Sequence, residues 1–118
     1  MSVYKTIDKV FSLFQGGRMS RAELKTEAIR RTYLAIYARD HGRCVSCGLS
    51  ANRYGTAQLA HVIPNRKHNI RKYGEAVIHH PMNLKLTCCL ECNAAVSIGG
   101  QPLAEAALVK KIRLAIGE

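Results

Sequence analysis

Aromatic side chains, acidic residues and long apolar runs are all scarce in this sequence. Tryptophan is absent and aromatic residues make up only 6% of the chain, so aliphatic side chains have to supply most of the core. No window approaches the roughly eighteen uninterrupted apolar residues of a membrane span. Near the start, Lys5, Asp8 and Lys9 interrupt every apolar stretch, and we identify no secretory signal. We therefore expect a cytoplasmic protein without a membrane partner.

The scarcity of acidic residues leaves a strong positive charge. The chain has 18 Lys and Arg residues against 8 Asp and Glu residues, which gives a formal net charge of +10. A charge of this size favours a polyanionic partner such as nucleic acid. With 118 residues, 47% of them hydrophobic, the chain is long enough for one folded domain and too short for two. We therefore expect a single domain over 1–118.

Helical periodicity is strongest toward the two ends of the chain. Apolar residues at helical spacing predict one helix over 2–14 and another over 20–40. The second of these begins with a capping box formed by Ser20 and Glu23. A last helix is expected over 102–116. These helices flank the central region of the domain.

The central region, about 40–100, is rich in Gly, Asn, Pro and His and has little helical period. Two short strands are predicted there, over 57–63 and 84–87. A short helix is predicted over 90–97. The basic segment between the strands, 64–81, is predicted to be a long functional loop, because loops of this length in a small domain usually serve a function.

The five cysteines fall in two clusters. The first is Cys44-x2-Cys47, and the second contains Cys88, Cys89 and Cys92. Two CxxC pairs can each place two thiolates at the separation that a tetrahedral ion requires. The spacing therefore predicts a structural zinc site formed by the first pair together with Cys89 and Cys92. Cys88 is an alternative to Cys89 as the third ligand.

Three other interpretations of the cysteines are weaker. A redox dithiol would use Cys44 and Cys47 alone, but that motif expects a βαβ setting, which we do not find in the sequence. A zinc finger that combined these two thiolates with His61 and His68 would have too wide a gap between its histidines. It would also leave the second cysteine cluster without a role. Buried free thiols seldom occur as two such pairs.

Three polar residues occur in a characteristic order around the cysteines. His61 lies in AHVIP between the two clusters, Asn83 lies in NLKL, and Asn93 directly follows the second CxxC pair. An imidazole is largely neutral at pH 7 and can take a proton from water. Over about 40–100, this ordered set resembles the zinc-containing HNH endonucleases of the His-Me finger, or ββα-metal, group.

The resemblance implies a fold and a chemistry. The fold would be α+β, a small β-hairpin and a helix joined by a four-cysteine zinc site, with additional helices at both ends. The activity would be divalent-metal-dependent hydrolysis of phosphodiester bonds in DNA. His61 would act as general base, Asn83 would brace the hairpin, and Asn93 would hold Mg²⁺ or another divalent cation through its side-chain oxygen. Zinc would be structural and Mg²⁺ catalytic.

One departure from the family pattern motivates an alternative function. Ala60 precedes His61, where the family commonly has an Asp or His that serves as a second metal ligand. The alternative is a catalytically inactive, zinc-containing module that binds nucleic acid. His79 and His80 lie close to Asn83 in the sequence and are further candidates for the site.

Basic residues near these motifs are predicted to contact phosphates. Arg39 and Arg43 flank the first cysteine pair. A denser group occupies the segment between the predicted strands, and in a chain of this charge we expect it to follow a DNA backbone. The predicted contact residues of this group are Arg66, Lys67, Arg71 and Lys72.

Overall fold

Two short antiparallel strands form the centre of the structure, a computed structural model that describes residues 21–55 and 57–118. The strands are β1 (Gln58–His61) and β2 (Leu84–Thr87). Gln58 is paired with Thr87, and His61 is paired with Leu84. β1 lies within the predicted range 57–63, and β2 coincides with the predicted range 84–87. They are the two strands of an α+β fold.

Five α-helices accompany the hairpin in the described residues. They are α1 (Arg21–Arg39), α2 (Lys67–Tyr73), α3 (Glu75–Ile78), α4 (Leu90–Val96) and α5 (Pro102–Ile116), and a short 3-10 helix, Pro81–Asn83, precedes β2. The helices predicted over 20–40, 90–97 and 102–116 correspond to α1, α4 and α5. The helix predicted over 2–14 lies outside the described residues. None of the helices described has the length and apolarity needed to cross a bilayer.

The prediction of a long loop over 64–81 is wrong, because this segment contains α2 and α3. Gly74, with φ of 91°, separates the two helices and is in a conformation that other residues rarely adopt. Each helix is too short to be stable alone or to display a clear period. Val77 and Ile78 on α3 pack with Val109 and Ile112 of α5, so tertiary packing stabilises these helices.

The buried hydrophobic side chains form two clusters. One joins Ile36 of α1 to Leu84 and Leu86 of β2. The other joins Ile63, just after β1, to the buried faces of α3 and α5. The first cluster therefore holds β2 against α1, and the second holds the segment that follows β1 against α3 and α5.

Arg39, predicted to contact phosphate, is bound to the protein itself. Its guanidinium donates hydrogen bonds to the backbone oxygens of Pro81 (2.8 Å) and Leu84 (2.6 Å) and pairs with the carboxylate of Asp40. Asp40 in turn accepts a hydrogen bond from the backbone N–H of Leu86 at 3.0 Å. These bonds fix the end of α1 against β2, so the Arg39 guanidinium is engaged in holding the fold together.

Candidate metal centre and active site

Four cysteines form a compact cluster. The sulfur atoms of Cys44, Cys47, Cys88 and Cys92 all lie within 4.8 Å of one another. Two of the sulfur–sulfur distances, Cys47 to Cys88 and Cys88 to Cys92, are 3.7 Å. Tetrahedral zinc with Zn–S bonds of about 2.3 Å requires sulfurs about 3.8 Å apart. Four thiolates at this spacing can hold a metal such as zinc.

The cluster contains Cys88, the alternative that the spacing left open, in place of the predicted Cys89. Cys88 follows β2 directly and Cys92 lies on α4, and the two sulfur atoms are 3.7 Å apart. Cys89 precedes α4 in an extended conformation, with φ of −159°. Its thiol is outside the set of four mutually close sulfurs. The other three predicted ligands belong to the cluster.

The thiols of the cluster differ in their pKa shifts, because burial and neighbouring thiols raise the pKa of Cys92 and the pKa of Cys88 is also raised, whereas that of Cys44 is lowered. Burial raises the pKa of Cys44, but hydrogen bonds from the backbone of Cys47, Ser46 and Cys88 outweigh that effect and lower the pKa to about 6. The Nε of Arg53 donates a hydrogen bond to the sulfur of Cys88 at 3.3 Å. This hydrogen bond raises the pKa of Arg53. A guanidinium at this distance offsets part of the negative charge that four thiolates bring to a metal.

His61 and Asn93 line the same cleft. His61 is the last residue of β1 and Asn93 belongs to α4. The cleft has a volume of about 620 Å³, and Arg66 and Ser97 also line it. The structure thus brings together two of the three predicted catalytic residues and one of the four predicted phosphate contacts.

The amide of Asn93 has one described side-chain partner. Its Nδ2 donates a hydrogen bond to Oε1 of Gln58 at 3.3 Å. This contact orients the amide and leaves its oxygen, Oδ1, able to accept a bond or to coordinate a cation. Gln58 was not singled out in the sequence, since nothing local to it indicates a contact with α4.

Asn83 is fully buried. Its Nδ2 donates hydrogen bonds to the backbone oxygens of Ile78 (2.8 Å) and Ile63 (3.1 Å), and its Oδ1 accepts one from the backbone N–H of Ile63 at 2.8 Å. The backbone oxygen of Asn83 also accepts a bond from Val62. Asn83 therefore ties the segment that follows His61 to the end of α3.

Of the two further histidine candidates, His79 contacts His61. Nε2 of His61 and Nδ1 of His79 are 3.3 Å apart, and the rings meet edge to face. Burial lowers the pKa of His61, and the charge that His79 acquires on protonation lowers it further. His80 has a different role, because its Nδ1 accepts a hydrogen bond from the backbone of Met82 at the start of the 3-10 helix.

Ala60 is completely buried. Successive side chains of a strand point to opposite faces, so Ala60 and His61 lie on different sides of β1. The position before His61 therefore contributes no metal ligand to the cleft. No carboxylate lines this cleft among the described residues, so side-chain oxygens for a cation would come from amides and hydroxyls, with the Asn93 amide among them.

The remaining basic residues lie beside the cleft or apart from it. Lys67, Arg71 and Lys72 are exposed residues of α2, which begins directly after Arg66. Arg43 donates a hydrogen bond to the backbone oxygen of Gly48 at 3.2 Å.

Comparisons of the chain with known protein families, with curated proteins and with solved structures gave no match.

Proposed function

We propose that this protein is an HNH-type endonuclease that hydrolyses phosphodiester bonds in DNA with a divalent cation. The observation that carries the proposal is that His61 and Asn93 line one cleft. Hydrolysis of a phosphodiester requires a base that activates water and positive charge near the phosphate. An imidazole and an amide oxygen in the same cleft, with Arg66 beside them, are suited to these tasks.

His61 would activate the nucleophile. Its lowered pKa favours the neutral imidazole at pH 7, and only this form can accept a proton. The imidazole takes a proton from water as the water oxygen forms a bond to phosphorus. The bond from phosphorus to the leaving sugar oxygen breaks, and that oxygen takes up a proton from solvent.

Asn93 would hold the cation. Mg²⁺ prefers oxygen ligands and keeps several waters, so one amide oxygen together with substrate phosphate oxygens can suffice. When bound, Mg²⁺ offsets the negative charge that develops on the phosphate. Arg66 would position the DNA backbone from the edge of the same cleft, and the exposed cations of α2 would extend that contact.

The four-cysteine cluster would serve the fold. It connects the turn after α1, the end of β2 and α4, and α4 carries Asn93. Zinc at this position would hold α4 against the hairpin and keep Asn93 in the cleft. Binding energy of structural zinc is on the order of 10 kcal/mol, which is comparable to the stability of a whole domain.

A second candidate function is a nucleic-acid-binding module without catalytic activity. The burial of Ala60 and the lack of a carboxylate among the described residues of the cleft favour this alternative. Both functions include binding to DNA, and only the first includes cleavage.

A plasmid assay separates the two functions. Wild-type protein is incubated with supercoiled plasmid, with Mg²⁺ added or withheld, beside His61→Ala and Asn93→Ala. His68→Ala is the matched control, because His68 is an exposed histidine of α2. For an endonuclease we expect Mg²⁺-dependent cleavage that falls about a hundredfold or more in His61→Ala and is unchanged in His68→Ala. Binding of plasmid without cleavage by the wild type would favour the inactive module.

A further inference from the structure

The contact between His61 and His79 is held by the backbone on both sides. His79 directly follows α3 as its C-cap residue, and its backbone N–H donates to the backbone oxygen of Glu75 at 2.9 Å. The preceding residue, Ile78, is fully buried and its oxygen accepts a hydrogen bond from Asn83. Asn83 also binds Ile63, two residues after His61. One buried amide therefore fixes the two segments that bring the imidazoles together.

The contact has consequences for the position of the protons. When two neutral imidazole nitrogens are 3.3 Å apart, one of them carries a hydrogen and the other offers a lone pair. If Nε2 of His61 carries the hydrogen, its Nδ1 has the free lone pair. None of the described residues is hydrogen-bonded to that Nδ1. In the opposite arrangement, the hydrogen of His61 is on Nδ1, and that nitrogen then has no free lone pair to accept a proton from water.

We infer that His79 is a positioning residue that, when neutral, accepts a hydrogen bond from Nε2 of His61 and so keeps Nδ1 of His61 as the proton-accepting atom. The inference rests on the proposed function of His61 as general base. Protonated His79 carries a hydrogen on both ring nitrogens and would reverse the hydrogen bond. Activity would then require both histidines to be neutral.

The surroundings of His61 favour a neutral ring. A second cleft of about 420 Å³, between α1 and the hairpin, is lined by both histidines and by mostly apolar side chains, with Lys25 of α1 as its charged residue. Arg66 lines the cleft on which His61 also borders. No carboxylate lines either cleft in the described part of the chain. Nearby cations and apolar surroundings both disfavour an imidazolium.

The experiment uses full-length, zinc-loaded protein and two variants of His79. His79→Asn keeps an acceptor, Oδ1, near the position of Nδ1 but cannot be protonated. His79→Leu removes the acceptor. His68→Asn is the control, and zinc content and melting temperature verify that each variant is folded.

Two measurements are made on this set. The first is nitrogen NMR of the His61 ring at about pH 8, well above the ordinary pKa of a free imidazole, and it identifies the nitrogen that carries the hydrogen. We expect Nε2–H in the wild type and in His79→Asn, and a mixture of tautomers in His79→Leu. The second is the plasmid cleavage rate, which we expect to fall about tenfold or more in His79→Leu and only slightly in His79→Asn.

The pH profile distinguishes positioning from a purely structural role. On the acid side, the logarithm of the wild-type rate should approach a slope of about 2 against pH, because both histidines must lose a proton. The slope should be about 1 in His79→Asn and about 2 in His68→Asn. A wild-type slope of about 1, or a full rate in His79→Leu, would overturn the inference.

The outcomes keep this inference separate from the proposed function. If the wild type cleaves no DNA, the proposed function fails, and the NMR measurement by itself still tests the hydrogen bond between His61 and His79. Nε2–H in the wild type that is lost in His79→Leu would support the positioning contact. A hydrogen on Nδ1 in the wild type, or identical His61 spectra in the two proteins, would overturn it.

Discussion

The sulfur atoms of Cys47 and Cys88 lie 3.7 Å apart, although Cys47 belongs to the turn after α1 and Cys88 follows β2. The contact joins the turn after α1 to the segment that directly follows β2. A metal at this position would link the turn after α1, the end of β2 and α4, which carries Asn93, so the cysteine cluster should control the stability of the candidate active site.

The choice between Cys88 and Cys89 can be tested directly. Cys88→Ser should lose most of its bound zinc and melt on the order of 20 °C or more below the wild type, because three remaining thiolates hold zinc poorly. Cys89→Ser is the matched variant and should retain one zinc per chain. Elemental analysis and thermal unfolding measure both effects. Zinc retained in Cys88→Ser and lost in Cys89→Ser would restore the assignment predicted from the sequence.

Arg53 should modulate metal affinity without being a ligand. Its Nε donates to the sulfur of Cys88 at 3.3 Å, so Arg53→Ala removes a hydrogen bond that stabilises the thiolate. We expect zinc affinity to fall about tenfold or more, as measured by competition with a chelator. Arg113→Ala, an exposed arginine of α5, should leave the affinity unchanged. Equal affinities in both variants would exclude this role for Arg53.

Asn83 should be important for stability because its side chain makes three buried hydrogen bonds. Asn83→Ala would leave the backbone N–H and oxygen of Ile63 and the oxygen of Ile78 without that partner. We expect a loss of about 3 kcal/mol or more in the free energy of unfolding, measured by urea denaturation. Asn65→Ala, at an exposed position in the same segment, should change it by less than about 0.5 kcal/mol. Similar losses in the two variants would contradict the bracing role.

The pH dependence of stability should report on His61. Burial and the charge on His79 lower its pKa in the folded state below the ordinary value of 6.5, so the unfolded chain binds this proton more tightly. With respect to His61, the folded state keeps its full stability above about pH 6.5, and it loses stability as the pH falls through the lowered pKa of the folded state. Between about pH 7.5 and about pH 5.5, His61→Gln should therefore lose less thermal stability than the wild type, by an amount on the order of a few degrees.

His68→Gln is the control for this pH series, because His68 is exposed on α2. Its melting temperature should fall with pH in parallel with that of the wild type. A wild-type curve that is parallel to the curve of His61→Gln would show that the pKa of His61 is not lowered by folding.

Arg66 should contribute to DNA affinity through a phosphate. If the protein neutralises about six phosphates, the logarithm of its affinity for duplex DNA should fall with the logarithm of salt concentration with a slope of about −5. Arg66→Ala should weaken binding and make that slope less steep by about one. Fluorescence anisotropy at several salt concentrations measures both. Arg113→Ala, on α5, is the control, and an equal change in both variants would indicate that only net charge matters.

Local features of the sequence were sufficient to predict α1, α4, α5 and the two strands. Helix caps, apolar periodicity and strand propensity act over a few residues, so they can be recognised without knowledge of the fold. The same is true of the cysteine clusters, because short spacings restrict how far apart two thiols can be. Three of the four cysteines in the cluster, Cys44, Cys47 and Cys92, were identified in this way.

Tertiary structure alone decided the contacts between distant segments. Whether Cys88 or Cys89 joins the cluster depends on how the end of β2 enters α4, and α2 and α3 form because Val77 and Ile78 find partners on α5. Arg39 is tied to β2, and His79 rather than His80 meets His61. Local sequence sets conformation over a turn or a strand, whereas the distance between side chains remote in sequence is set by packing of the whole domain.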